Sequence, residues 1–256
     1  MKIYVDLNSD MGEGFADYKL GEDAALLDIV TSANIACGWH AGDPLIMNTT
    51  VKEALRKGVA VGAHPGFPDL MGFGRRSLDV SPKEAALYTL YQTGALSAFS
   101  SLHGGELQHI KLHGALYNMA SVSEPLSEAI TDAVQAWNPS IILMGLSGSL
   151  FLKKAEEKGL KTAHEVFADR AYNRDGTLVS RKQPGALITD PKAAVERVLQ
   201  MVLEKKVRAV TGELIPIQAD SICVHGDNPE ALRLAETIRS QLENSGIRVQ
   251  PLHTFL

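Results

Sequence analysis

The segment MKIYVDLNSD, residues 1–10, decides how the rest of the chain is read. Ile3, Val5 and Leu7 alternate with Asp6 and Asn8, and Asp10 joins the second set if the strand runs on. A period of two is that of a β-strand, whose successive side chains point to opposite faces. One face is therefore apolar and the other polar, and an inward polar row must be satisfied by hydrogen bonds or put to use. Asp6 also interrupts the segment before an apolar signal-peptide core could form, so the stretch is read as the first strand of a cytoplasmic protein.

Outward from this strand, apolar or β-branched runs recur near Thr31 to Cys37, Val59 to Ala63, His109 to His113, Ile141 to Leu146, Lys161 to Phe167 and Ser221 to His225. Polar, Gly-containing turns and stretches of helical period separate them, which is the sequence form of βα units. Asp43-Pro44, Asp190-Pro191 and Asn228-Pro229 each place an N-cap before a proline whose missing N–H costs nothing at the first helical position. Ser81-Pro82-Lys83-Glu84 adds a capping box to a long helix in which Leu87, Leu90, Tyr91, Ala95, Ala98 and Leu102 fall on one stripe, the face expected to pack inward. No linker or low-complexity segment divides residues 1–256. The expectation is a single α/β domain of about seven βα units, a (β/α) barrel of the TIM type or a close relative of it. A doubly wound open sheet is the alternative.

Composition excludes other classes. With 45% hydrophobic and 21% charged residues the chain has the profile of a globular domain. Its net charge of -5 is spread along the sequence, which argues against nucleic acid or an anionic membrane as partner. Apolar stretches such as Ile141 to Met144 fall far short of the roughly 20 residues that span a bilayer. Cys37 and Cys223 lack C-x-x-C spacing and read as buried thiols.

Titratable residues collect at the strand ends. Asp10 lies at the end of the first strand, His64 at the third, Lys111 and His113 at the fourth, Glu165 and Asp169 after the sixth, and His225 and Asp227 at the seventh. The C-terminal rim of a βα barrel is where active sites are built, so an active site is placed there. Other signals are weaker. Gly145 to Ser149 suits an anion cradle or a tight turn, and Asp43 reads foremost as a helix cap. His109 is read as core, and the arginines of Gly72 to Arg76 could clamp a carboxylate. No G-x-x-x-x-G-K-[ST] motif for a nucleotide occurs.

The same residues carry a family resemblance. DLNSDMGE (6–13), SANIACGWHAGD (32–43), GAHPGFPD (62–69), GFGRRS (72–77), HIKLHGALYN (109–118), EVFADRAYNRDGTLVSR (165–181) and CVHGDN (223–228) resemble the LamB/YcsF family from the first strand to the last helix. Leu112 stands where the family usually has proline. The resemblance implies a seven-stranded barrel related to polysaccharide deacetylases. It also implies hydrolysis of the 5-oxoproline lactam to glutamate, coupled to ATP and carried out with partner subunits B and C. In that setting Asp10 is assigned as base, Lys111 and His113 as electrostatic stabiliser and acid, and His40 and His64 as proton carriers or ligands. Arg75 or Arg170 would clamp the substrate carboxylate, with Asn8, Glu13, Asn34, Gly74, Tyr117, Glu165, Asp169, His225 and Asp227 completing the substrate-binding set. Two alternatives stay open: a metal-dependent deacetylase or amidohydrolase holding a divalent ion on Asp10, His64 and His113, and a ligand-binding protein without catalysis.

Overall fold

The computed structural model describes residues 2–18, 20–226 and 228–256. Strands β1 (Tyr4–Met11), β2 (Ser32–Ala36), β3 (Ala60–His64), β4 (Leu107–Lys111), β5 (Ile142–Leu146) and β6 (Thr162–Phe167) pair in sequence order. After β6 the chain forms an antiparallel hairpin, β7 (Lys206–Arg208) with β8 (Leu214–Pro216), before β9 (Ser221–Cys223) inserts between β6 and β1. The pairing of Asp6, Leu7 and Asn8 with Ser221, Ile222 and Cys223 closes a barrel of seven parallel strands and excludes the open sheet. A last short strand, β10 (Arg248–Val249), pairs with Tyr4 and Val5 at the start of β1. The first strand extends past Asn8 to Met11, so Asp10 does stand on it.

Eight helices surround the barrel: α1 (Asp23–Leu26), α2 (Pro44–Arg56), α3 (Pro82–Leu102), α4 (Gly114–Val122), α5 (Glu124–Trp137), α6 (Leu150–Glu157), α7 (Pro191–Glu204) and α8 (Pro229–Asn244), counted among the described residues. Asp43, Asp190 and Asn228 cap α2, α7 and α8 as expected, and Ser81 and Glu84 form the capping box of α3. The face of α3 differs from expectation. Leu87, Tyr91 and Leu102 are more than half exposed, whereas Ala85, Thr89, Gln92, Thr93, Leu96 and Ser100 are buried. Small residues let α3 approach its neighbours closely, and Gln92 supplies hydrogen bonds to both the N–H and the C=O of Gly66. A helix that anchors a loop through its amide thus turns its polar stripe inward.

Strand parity divides the barrel. Val5 and Leu7 of β1, Ile35 of β2, Val61 of β3, Ile110 of β4, Leu143 of β5, Val166 of β6 and Ile222 of β9 belong to one apolar cluster shared with the helices. The residues of opposite parity point inward. At the bottom Ile142, Met144 and Ala163 pack with Leu252 of the C-terminal turn, Leu252–Thr254, which corks the barrel. Above the cork Asp6 accepts hydrogen bonds from Thr31, Ser32 and Ser221. Higher still, Asn34 donates to Asn8 Oδ1 at 2.7 Å, and His109 Nε2 lies 2.7 Å from Asn34 Oδ1. His109 fits because its neighbour across the ladder is glycine: a Cβ on Gly62 would lie 2.1 Å from His109 Nε2.

Replacing Leu252 by alanine removes the central apolar group of the cork from a fully buried position, and the expected loss is about 2–5 kcal/mol of unfolding free energy. Urea denaturation measures it; a loss below about 1 kcal/mol would mean that the turn merely rests on the barrel.

Candidate functional site

The top of the barrel is built around the Lys111 ammonium. The β4 parity that places His109 inward also places Lys111 inward one layer higher, where it is almost fully buried. Nζ lies 2.9 Å from Asp10 Oδ1, 3.2 Å from Asn8 Oδ1 and 3.5 Å from Cys223 Sγ. It also meets Glu165 Oε1 at 2.7 Å, a charge contact rather than an aligned hydrogen bond. Tyr117 of α4 donates to the other oxygen of Glu165 at 2.7 Å. A cation in the interior must be paired, and here carboxylates on β1 and β6 pair it. Burial alone would lower the Lys111 pKa, but Asp10, Cys223 and Glu165 outweigh it and hold the amine well above its ordinary value. Burial likewise would raise Asp10, yet His64 and Lys111 hold that carboxyl well below the usual carboxylate range.

Beside this pair sits a group of imidazoles. His64, the last residue of β3, has Nδ1 2.8 Å from the carbonyl oxygen of Lys111 and Nε2 3.3 Å from Asp10 Oδ2. His113, the N-cap residue of α4, has Nε2 2.9 Å from the carbonyl of Phe73 and Nδ1 2.9 Å from His64 Nε2. His40, in the loop after β2, stacks on His113 with ring centroids 3.6 Å apart and places Nε2 3.1 Å from Glu13 Oε1. Burial first, then neighbouring histidines, hold the His40 and His113 pKa values well below the ordinary imidazole value, so both rings are neutral. Burial and the nearby Asp10 raise the Glu13 carboxyl. Gly74 lets its loop lie against these rings: its φ is +62°, and a Cβ there would come within 2.9 Å of His113 Cδ2.

Asp10, His40, His64, Lys111, His113, Asn8, Glu13, Asn34, Gly74, Tyr117 and Glu165 are thus brought together. Arg75 is exposed at the mouth, its guanidinium 4.9 Å from the centre of the Phe73 ring. Asp169 Oδ2 lies 3.0 Å from His225 Nδ1 above the ends of β6 and β9. Arg170 is buried and donates to the carbonyl of Val179 at 2.6 Å, so its guanidinium serves the loop. Asp227 lies outside the described residues. Gly145 to Ser149 forms a tight turn in which Gly148 N–H donates to His164 and Ser149 caps α6. Three contributors escaped the sequence reading. Cys223 touches Lys111, Phe167 faces the Lys111 ammonium, and Phe73, held at φ 54°, presents its carbonyl to His113. Only Phe73 left a sequence trace, its two flanking glycines.

Fold and rim together define a seven-stranded βα-barrel protein whose mouth, at the C-terminal ends of the strands, is lined by buried charge and imidazole. The chain belongs to the LamB/YcsF family, which matches residues 5–256. It is 56% identical over 256 residues to the 5-oxoprolinase A subunit of Fusobacterium nucleatum subsp. nucleatum, covering 100% of both chains. It is 45% identical to the lactam utilization protein of Thermus thermophilus, with a TM-score of 0.91 over 97% of this chain and 99% of that one. A peptidoglycan N-acetylglucosamine deacetylase, 13% identical, shares the fold with a TM-score of 0.51 over 100% of this chain and 88% of that one.

Two consequences can be measured. Replacing Lys111 by methionine leaves Glu165 and Asp10 without their shared cation, and the expected cost is about 3–5 kcal/mol of stability; chemical denaturation within about 1 kcal/mol of wild type would show that the interior relaxes around the loss. Asp6, by contrast, is raised by burial from 3.8 to about 6. The folded chain keeps that proton while the unfolded chain releases it, so stability falls as pH rises through this window, by about 3 kcal/mol at ~1.36 kcal/mol per pKa unit. Asp6→Asn removes the titration. Between roughly pH 4 and pH 7 the variant should gain on wild type by about that amount in urea denaturation, and a constant difference would refute the assignment.

Proposed function

We propose that this chain is the A subunit of a 5-oxoprolinase and that its barrel mouth carries out the hydrolytic opening of the lactam to glutamate, after subunits B and C have activated the ring with ATP. The observation that carries this reading is full-length similarity, at 52–56% identity, to proteins named as the A subunit of 5-oxoprolinase, joined to the ionised Asp10 at the barrel mouth.

A five-membered lactam is a stable amide, so opening it at neutral pH requires a more electrophilic ring carbon, which transfer of a phosphoryl group to the amide oxygen would supply. After activation the site must take a proton from water, hold the substrate and return a proton to the departing nitrogen. Asp10 suits the first task. Lys111 and Asn34 engage its Oδ1, while Oδ2 faces His64 at 3.3 Å. A carboxylate of low pKa is a weak base, sufficient only against an activated carbon, and this fits a reaction driven by ATP. The proton that Asp10 takes as the water oxygen bonds to the ring carbon passes to the ring nitrogen as the C–N bond breaks, which leaves the former ring carbon as an acyl phosphate; a second water then cleaves that bond to give glutamate and inorganic phosphate.

Lys111 acts through Asp10. Its Nζ is surrounded by acceptors of the protein itself, so it fixes the charge and position of the base rather than meeting the substrate. His40 is fully buried behind Glu13 and has the same indirect place. Arg75, exposed at the mouth, is the clamp for the substrate carboxylate, since Arg170 is tied to Val179.

The test is reconstitution of the three subunits with ATP and 5-oxoproline. Omitting this chain should abolish glutamate release, and Asp10→Asn should lower the rate by roughly 100-fold or more, since the amide keeps the shape but cannot accept the proton. Glutamate release without this chain would reduce it to a binding component. Near-normal turnover by a folded Asp10→Asn variant would remove Asp10 from the chemistry.

A further inference from the structure

The hydrogen bonds of His64 and His113 fix where their protons lie. A carbonyl oxygen only accepts, so His64 Nδ1, 2.8 Å from the Lys111 carbonyl, carries the N–H. By the same reasoning His113 Nε2, 2.9 Å from the Phe73 carbonyl, carries the other. The second nitrogen of each ring, His64 Nε2 and His113 Nδ1, is not engaged by a carbonyl, and these two atoms face each other at 2.9 Å. Two ring nitrogens this close require a positive centre between them, a proton or a cation.

The surrounding atoms indicate what it is. Glu13 Oε1 lies 3.5 Å from His113 Nδ1, and Asp10 Oδ2 lies 3.3 Å from His64 Nε2. The 3.5 Å between Glu13 and His113 is close to the edge of a tetrahedron with metal bonds of about 2.0–2.1 Å, about 3.3–3.4 Å long, and the shorter 2.9 Å between the two ring nitrogens means that the rings part slightly to seat an ion. A histidine that binds a metal through one nitrogen usually donates the other N–H to a carbonyl or carboxylate, which is the arrangement of both rings here. His40 Nδ1 is buried without a hydrogen-bond partner, so its proton is assigned to Nε2, where it orients Glu13. One donor atom from each of Glu13, His40, His64 and His113 lies within 4.8 Å of the others.

We propose that His64 Nε2, His113 Nδ1 and the Glu13 carboxylate form a site for a divalent transition metal, zinc above all, with Asp10 beside its open position and His40 holding Glu13 from behind. Two imidazoles and a carboxylate suit zinc or cobalt(II) better than calcium or magnesium, which prefer oxygen alone. The site uses Glu13 in place of the Asp10 of the sequence-based ligand set, because it is Glu13 whose carboxylate oxygen lies within 4.8 Å of a donor nitrogen of each imidazole, while Lys111 and Asn34 hold Asp10 through Oδ1. The inference deepens the hydrolytic reading, since such an ion would hold the attacking water next to Asp10. The site itself can be tested without any turnover.

The experiment uses the full chain without a histidine tag, stripped with a chelator and titrated with Zn²⁺ or Co²⁺. Elemental analysis after gel filtration should find about one ion per chain, the Co²⁺ form should show visible d–d absorption, and Zn²⁺ should raise the melting temperature. Glu13→Gln should weaken Zn²⁺ binding about tenfold or more, and His113→Asn should abolish the Co²⁺ spectrum; circular dichroism reports whether each variant is folded. Less than about a tenth of an ion per chain with no thermal shift would overturn the site, leaving a shared proton between the two rings. Wild-type affinity in folded Glu13→Gln and His113→Asn would overturn these ligands. Metal bound by a chain whose reconstituted complex is inert toward 5-oxoproline would sustain this inference and sink the proposed reaction, whereas turnover by a complex whose A chain takes up no Zn²⁺ or Co²⁺ would do the reverse.

Discussion

The ammonium of Lys111 constrains more of this molecule than any other single group. A cation brought into the middle of a barrel requires partners on several strands at once, and it takes them from β1, β6 and β9 through Asp10, Glu165 and Cys223. Those partners recruit others, since Tyr117 completes Glu165 and Asn34 bridges Asp10 to Asn8. The polar interior is therefore one connected system in which each group's orientation depends on its neighbours. Fully satisfied networks of this kind specify a single arrangement, and losing one member exposes the rest to the cost of an unpaired buried charge.

The charge distribution that results is asymmetric. Asp10 is kept ionised by His64 and by the cation at its back, while Glu13, on the following loop, is raised by burial and by Asp10 itself. Two carboxylates a few residues apart are thereby given different characters, the usual sign of a division of labour between groups in one pocket. The neutral rings of His40 and His113 are fixed by carbonyl and carboxylate contacts, by their mutual stacking and by His64.

Much of this was legible in the sequence because period-two alternation survives translation into structure. The DLNSD run showed an inward polar row, the N-cap and proline pairs showed the helix starts, and strand ends showed His64, Lys111 and Glu165. What stayed hidden depends on approach between distant segments. Nothing in the local pattern of 82–102 says that the Leu87 and Tyr91 stripe faces out, because that follows from Gln92 reaching across to Gly66. Nor could spacing reveal that a backbone carbonyl at Phe73 sets the tautomer of His113. The choice between Asp10 and Glu13 beside the imidazoles is likewise a matter of ångströms.

β1 is completed by segments far along the chain. β1 begins at Tyr4, yet its partners β9 and β10 begin at Ser221 and Arg248, and the bottom of the barrel is sealed by Leu252. A nascent chain must therefore carry the Asp6, Asn8 and Asp10 row with one strand edge unpaired until Ser221 to Cys223 have been made. Such long-range closure slows folding and prolongs the exposure of pairing edges. The acidic, amide-rich face of that first strand disfavours pairing with its own kind while that edge is open.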